Sequence, residues 1–150
     1  MKMIKSIIFI IAIMITGTAY GSSQLSQTDI YWLAKNIYYE ARGESVLGQI
    51  MVGVVTISRQ QSGEWGDTIK AVVTAPKQFS WYDPDKKAIP KNKKSWIMAK
   101  KIAILSCVAY CILGEPKIQY YHNLSAHPKW ADRLQKVLVV ENHIFYEKKS

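Results

Sequence analysis

Seven consecutive residues, Tyr38-Tyr39-Glu40-Ala41-Arg42-Gly43-Glu44, concentrate the side chains of this chain that could do chemistry. Glu40 is the informative one. The surrounding pattern predicts a helix over 28–41, and successive helical residues turn by about 100°. Glu40 therefore falls on the edge of an apolar stripe, beside Leu33 and Ile37. It also falls at the helix's C-terminal end, where the helix dipole disfavours negative charge. Partial burial, aromatic neighbours and that dipole all favour the neutral carboxyl and so raise its pKa. A carboxylic acid still protonated near neutral pH is what the leaving oxygen of a glycosidic bond requires. Arg42 would oppose this if it paired with Glu40; it is expected to point elsewhere, towards Glu44. On pattern alone a competing reading stays open, in which Glu40 is a helix-end glutamate in an ordinary salt bridge.

Other chemistries find less support. Hydrolysis with inversion or retention needs a second carboxylate, and Glu44, Asp67, Asp83, Asp85, Asp132 and Glu141 are the candidates. None is placed by a motif of its own. Glu44 is nearest, and its expected role is to organise the turn with Arg42. His122, His127 and His143 raise the question of a metal. No His-Glu-x-x-His helix occurs, the cysteines lie apart in sequence and the spacings are unlike zinc sites. The expectation is no metal and no cofactor. No Ser or Cys sits in a recognisable nucleophile elbow.

The elements that must position these groups follow from periodicity. Thr28 and Asp29 offer N-caps for the first helix, and Ile30, Leu33, Ala34, Ile37 and Ala41 keep the helical period up to Gly43. A second helix is expected over 45–59; its β-branched residues make a strand the rival, and length with an unalternating pattern favours helix. Residues 61–94, rich in Gly, Pro, Asp and Lys, read as mostly loop, with a short helix over 67–74 capped by Asp67. The most apolar stretch, 95–113, ends at Gly114 and Pro116 and reads as a central buried helix. Beyond it, 118–121 looks extended, and 137–140 with 143–146 flank Glu141-Asn142 as a β-hairpin. This is an α+β domain, mostly helical, with a small C-terminal β element.

The chain has 150 residues, 49% of them hydrophobic, enough for one core. Residues 1–21 stand apart. Lys2 and Lys5 precede a nearly unbroken apolar run over 7–15, and small residues follow at Thr16-Gly17-Thr18-Ala19-Tyr20-Gly21. That is the layout of a secretory signal peptide. The run is shorter than the roughly 20 residues a bilayer span needs, which favours the signal peptide; an uncleaved N-terminal anchor is the alternative. The domain is therefore expected over 22–150 and exported, to the periplasm, the cell wall or beyond, as a monomer. Formal charge is +9, and +7 without Lys2 and Lys5. Such a charge draws a protein to polyanions. The basic run 86–94 lacks the interleaved aromatics of a nucleic-acid surface, so no nucleic-acid partner is expected. Cys107 and Cys111, four apart in a helix, read as small buried core residues, not a disulfide.

From Ile30 to Tyr146 the chain resembles the cell-wall hydrolase family of the spore cortex-lytic enzyme SleB, which includes phage lysis enzymes. The resemblance rests on an ordered set. Glu40-Ala41-Arg42-Gly43-Glu44 matches the family's signature, followed by Gly48-Gln49, the apolar run 52–55 and Pro76…Gln78-Phe79-Ser80-Trp81. Tyr121-His122-Asn123, Pro128…Trp130-Ala131 and Asn142-His143-Ile144-Phe145-Tyr146 complete it. Ser58 before Arg59 departs from the asparagine many relatives carry. The resemblance implies a lysozyme and lytic-transglycosylase-like fold, peptidoglycan glycan strands as substrate and Glu40 as the catalytic acid. It also favours a one-carboxyl route, in which the muramic acid 6-hydroxyl closes onto C1 as a 1,6-anhydro ring. Gln78, Trp81, Tyr121 and His122 are the expected glycan-groove residues, because amides bond sugar hydroxyls and aromatic faces cover pyranose rings. Two rivals are carried forward: a zinc amidase or peptidase on the stem peptide, built on the three histidines, and a non-catalytic wall-binding module.

Overall fold

A computed structural model describes residues 25–149. The expected signal peptide at 1–21 lies outside the described residues. Four helices, α1 (Gln27–Ala41), α2 (Val46–Ser62), α3 (Ile69–Thr74) and α4 (Lys93–Ile112), precede three strands. These are β1 (Tyr120–Asn123), β2 (Leu134–Val140) and β3 (His143–Lys148), with a 3₁₀ turn at Ala131–Arg133. The strands form an antiparallel sheet in the order β1-β3-β2. The α+β expectation, with a small C-terminal sheet, agrees with this architecture.

α1 begins one turn before the apolar stripe. Its N-cap is Ser26, not Thr28 or Asp29. Asp29 occupies the third helical position and completes a capping box, its Oδ2 accepting from the Ser26 N–H and hydroxyl. Asp29 Oδ1 also accepts the Ile69 N–H, which ties the start of α1 to the start of α3. α3 is capped by Thr68, not Asp67, through its side-chain bond to Ala71 N. α4 starts two residues earlier than periodicity suggests, because Asn92 caps it through Ser95 N. The Asn92 N–H in turn donates to the Tyr38 hydroxyl at 3.0 Å.

The buried centre of the fold is α2, not α4. Residues 51–59 of α2 are all buried, since the helix packs against α1, α3 and α4 together. That burial explains why its β-branched run still forms a helix: tertiary packing outweighs a weak local preference. Gly53 permits the closest approach. A Cβ there would stand 2.1 Å from Ser106 Oγ of α4, so any side chain would force the two helices apart. α4 buries only the stripe Ala99, Ile102, Ala103, Ser106 and Tyr110. The expectation of two buried cysteines fails for the same reason: Cys107 is half-buried and Cys111 exposed, both free.

Leu33, Ala34, Ile37 and Tyr38 of α1 join Val54 and Val55 of α2, Ile69, Val72 and Val73 of α3, Ile102 of α4 and Phe145 of β3 in one core. A polar chain crosses it. Thr56 Oγ1 donates to Val52 O and accepts from Asn36 Nδ2, and Asn36 Oδ1 accepts from Trp81 Nε1 at 2.9 Å. A satisfied buried network of this kind fixes geometry; here it fixes the loop that carries Trp81. The hairpin is tied down in turn: Glu141, at φ 48, accepts the Ser45 N–H at the start of α2.

Candidate active site

Glu40 stands in the last turn of α1, one residue before the helix ends at Ala41. Its side chain is half-buried because it continues the edge of the Leu33–Ile37 stripe. The neighbour that completes it comes from 81 residues away. Tyr121, on β1, donates its hydroxyl to Glu40 Oε2 at 3.0 Å. Tyr121 is held in turn by Phe145 on the paired strand, stacked at 5.7 Å, and by the edge of His143 at 5.6 Å.

Arg59 lies beneath. It ends the buried run of α2, and its Nε donates to Gln119 O at 2.7 Å. The guanidinium sits 4.6 Å from the Trp65 ring and 5.3 Å from the Phe79 ring, and one nitrogen reaches Gln78 Oε1 at 3.5 Å. Glu40, Arg59, Lys77, Gln78, Phe79, Ser80 and Tyr121 line an open cavity of about 420 Å³. Ser80 is also in the wall of a neighbouring groove of about 870 Å³, which runs past Trp81, Tyr39 and Arg42 towards Lys91. Trp81 stacks on Tyr39 at 4.6 Å, nearly parallel.

Electrostatics separate the acid from its surroundings. Burial pushes the Glu40 carboxyl above its ordinary pKa, opposed by the Tyr121 hydroxyl and the positive charge of Arg59. Burial, and then the adjacent Glu40 charge, push the Tyr121 phenol well above its usual range, against a smaller pull from Arg59. The Tyr121 hydroxyl donates to Oε2, which leaves Oε1 without a bond from that phenol. Among the described residues, Glu40 is the only carboxyl lining this cavity.

The other sequence candidates are dispersed. Arg42 does point away from Glu40, as expected, but not towards Glu44: its guanidinium lies 5.0 Å over the Tyr38 ring. Glu44 faces His143 instead, with 3.8 Å between Oε2 and Nδ1, while its backbone carbonyl accepts Gln49 Nε2. Asp83 pairs with Lys86 at 2.8 Å, and Asp132 lies 3.9 Å from His127. Gln78 and Tyr121 join Glu40, and Trp81 adjoins it. His122 does not. Strand alternation turns it to the opposite face of β1, where it is buried between the Tyr146 hydroxyl and Asn123 O, both 2.8 Å away, and against the edge of Trp130. The three histidines occupy three separate places, and no group of His, Cys, Asp or Glu among the described residues is arranged as a metal site.

Arg59 is the site residue that motif reasoning passed over, noting only that it ends the second helix. An arginine closing the most buried helix was the available signal, because a buried charge demands partners. Ser58 donates to Pro116 O at 2.7 Å and does not line the Glu40 cavity.

The cell wall hydrolase family profile matches residues 43–146. The chain belongs to the cell wall hydrolase family. It is 28% identical over 120 residues to the spore cortex-lytic enzyme of Bacillus cereus, covering 80% of this chain and 44% of that enzyme. The chain thus spans less than half the length of this relative. The solved catalytic domain of Bacillus cereus SleB superposes with a TM-score of 0.68 at 27% identity, covering 88% of this chain and 99% of that one. The catalytic domain of SleB from Bacillus anthracis, described as a germination-specific lytic transglycosylase, gives 0.65 at 29% identity, over 83% and 98%. The expected family and fold both stand.

Proposed function

We propose that this chain is an exported enzyme that cleaves the glycan strands of peptidoglycan, with Glu40 as its acid and then its base. The observation that carries the proposal is the single carboxyl in the cavity, raised by burial and held by the Tyr121 hydroxyl. Family membership and the likeness to SleB catalytic domains support it. Glu40 Oε1 gives its proton to the glycosidic oxygen as the bond to C1 breaks. The resulting carboxylate takes the proton of the muramic acid 6-hydroxyl, whose oxygen bonds to C1 and closes the 1,6-anhydro ring. The lack of a second carboxyl beside Glu40 among the described residues favours this over double-carboxylate hydrolysis, whose two carboxyls flank the bond about 5–10 Å apart.

Gln78 and Ser80 offer hydrogen-bonding groups to sugar hydroxyls, and the Trp81–Tyr39 stack offers the next groove a flat apolar wall. Residues 1–21 would direct export, and the domain, acting as a monomer, needs no cofactor for this chemistry. A zinc amidase would need its histidines to converge, and they do not.

Mass spectrometry of soluble fragments from purified cell walls tests the proposal. Disaccharide muropeptides lighter by one water than reducing-end products are expected. Reducing ends would refute the anhydro route, free stem peptides with intact strands would favour amidase chemistry, and binding without release would leave only a wall-binding module.

A further inference from the structure

The solvent side of the C-terminal half of α4 is apolar where a helix of a water-soluble domain is ordinarily polar. Opposite its buried stripe stand Ile104 (57% exposed), Val108 (50%) and Ile112 (79%), with Ile97 and Leu105 beside them. The helix carries Lys93, Lys94, Lys100 and Lys101 and no acidic residue; Glu115 comes only after it ends. By length and composition α4 could cross a membrane, yet its other face is locked into the core. Helical spacing puts Lys94 and Lys101 within this outer face and Lys93 and Lys100 at its edge, so the face is basic towards its start and apolar towards its end. A helix with a fixed buried side and such a mixed outer side has the make-up of one that lies in a lipid interface.

The path of the chain points the same way. Leu25, Ile30, Tyr31, Lys100 and Ile104 line one groove, so the described chain begins beside this face. The apolar run 7–15 is separated from Leu25 by 9 residues, a reach of at most about 30 Å. A bilayer engaged by that run lies within reach of α4. No residue of α4 lines the Glu40 cavity, whose walls come from the ends of α1 and α2, the 77–80 loop and β1.

We propose that the exposed face of α4 docks on an anionic bilayer surface, holding the domain at the membrane through a side that takes no part in the Glu40 cavity. This goes beyond the catalytic reading and is independent of it.

The test uses the full-length chain carrying Cys107→Ala, with an environment-sensitive fluorophore on the exposed Cys111. Phosphatidylglycerol vesicles are expected to shift its emission to the blue and, when brominated, to quench it; phosphatidylcholine vesicles should do so weakly. Ile104→Glu with Val108→Glu should abolish the shift while circular dichroism shows an unchanged melt. A gentler variant, Lys100→Ala with Lys101→Ala, leaves the apolar face intact. It should raise the lipid needed for half the shift by about fivefold per lysine. A chain that sediments with phosphatidylglycerol vesicles while Cys111 keeps its aqueous emission would overturn the proposal. So would failure to sediment. A blue-shifted probe without lipid would overturn it as well, because residues 7–15 or a second copy would then cover the face.

Discussion

Glu40 and Glu44 bracket one Ala-Arg-Gly turn, and the fold gives the two ends of that turn opposite company. Glu40 closes a helix, takes a hydrogen bond from Tyr121 and shares a cavity with the buried Arg59. Glu44, four residues on, lies in the turn beyond, 3.8 Å from an imidazole and outside that cavity. The difference is not local. It arises because β1 and the end of α2 bring a phenol and a guanidinium to the first carboxyl, while β3 brings His143 to the second. Desolvation is the main cause of the raised Glu40 carboxyl, and it comes from the elements packed around it, not from its neighbours in sequence.

Substitution at the two positions should break them apart most sharply. Glu40→Gln is expected to lower release of soluble muropeptides by at least about a hundredfold, the usual scale of general acid–base catalysis. Glu44→Gln should leave the products unchanged and cost at most about 1 kcal/mol of stability, as a partly exposed pair with histidine would. Equal losses at both positions would make Glu44 a partner in the chemistry. Next in size is Tyr121→Phe, which removes the donor that favours ionised Glu40. The Glu40 pKa should rise further, so the alkaline limb of the rate profile moves to higher pH while the maximal rate falls roughly tenfold. An alkaline limb that stays in place would uncouple the two residues.

A stability measurement sharpens the same comparison. Because burial raises the folded-state pKa of Glu40, the folded chain holds more protons than the unfolded chain between the ordinary and the raised values. Stability therefore falls as pH rises through that window. Glu40→Gln should be more stable than wild type by about 1 kcal/mol above the window and no more stable below it, as expected where a site trades stability for activity. Chemical denaturation at acid and neutral pH checks this. The smallest effect concerns the far face of β1. His122→Ala should cost about 1 kcal/mol through the lost Tyr146 contact and leave KM unchanged, because the ring faces away from the groove.

Much of this was legible before any coordinates. Helical periodicity located α1 and α2, and the apolar stripe placed Glu40 at a half-buried helix end. What stayed hidden depends on contacts across long stretches of chain. Nothing near Glu40 announces Tyr121, 81 residues on, so only the family resemblance joined them. The period of two along a strand separates Tyr121 from His122, and assigning both to one groove overlooked it. Composition made 95–113 look central, whereas burial follows from how many elements surround a helix: α2 has three helical neighbours, and α4 keeps an apolar side in the open.

Titration of the Glu40 carboxyl carbon, followed by NMR with selectively labelled glutamate and assigned through Glu40→Gln, reaches the proton that the proposed chemistry requires. A midpoint clearly above that of an ordinary glutamate, and higher still in Tyr121→Phe, is the expected result. A midpoint at or below the ordinary value would mean a carboxylate already ionised where an acid is needed, and would contradict the assignment of Glu40 as the proton donor.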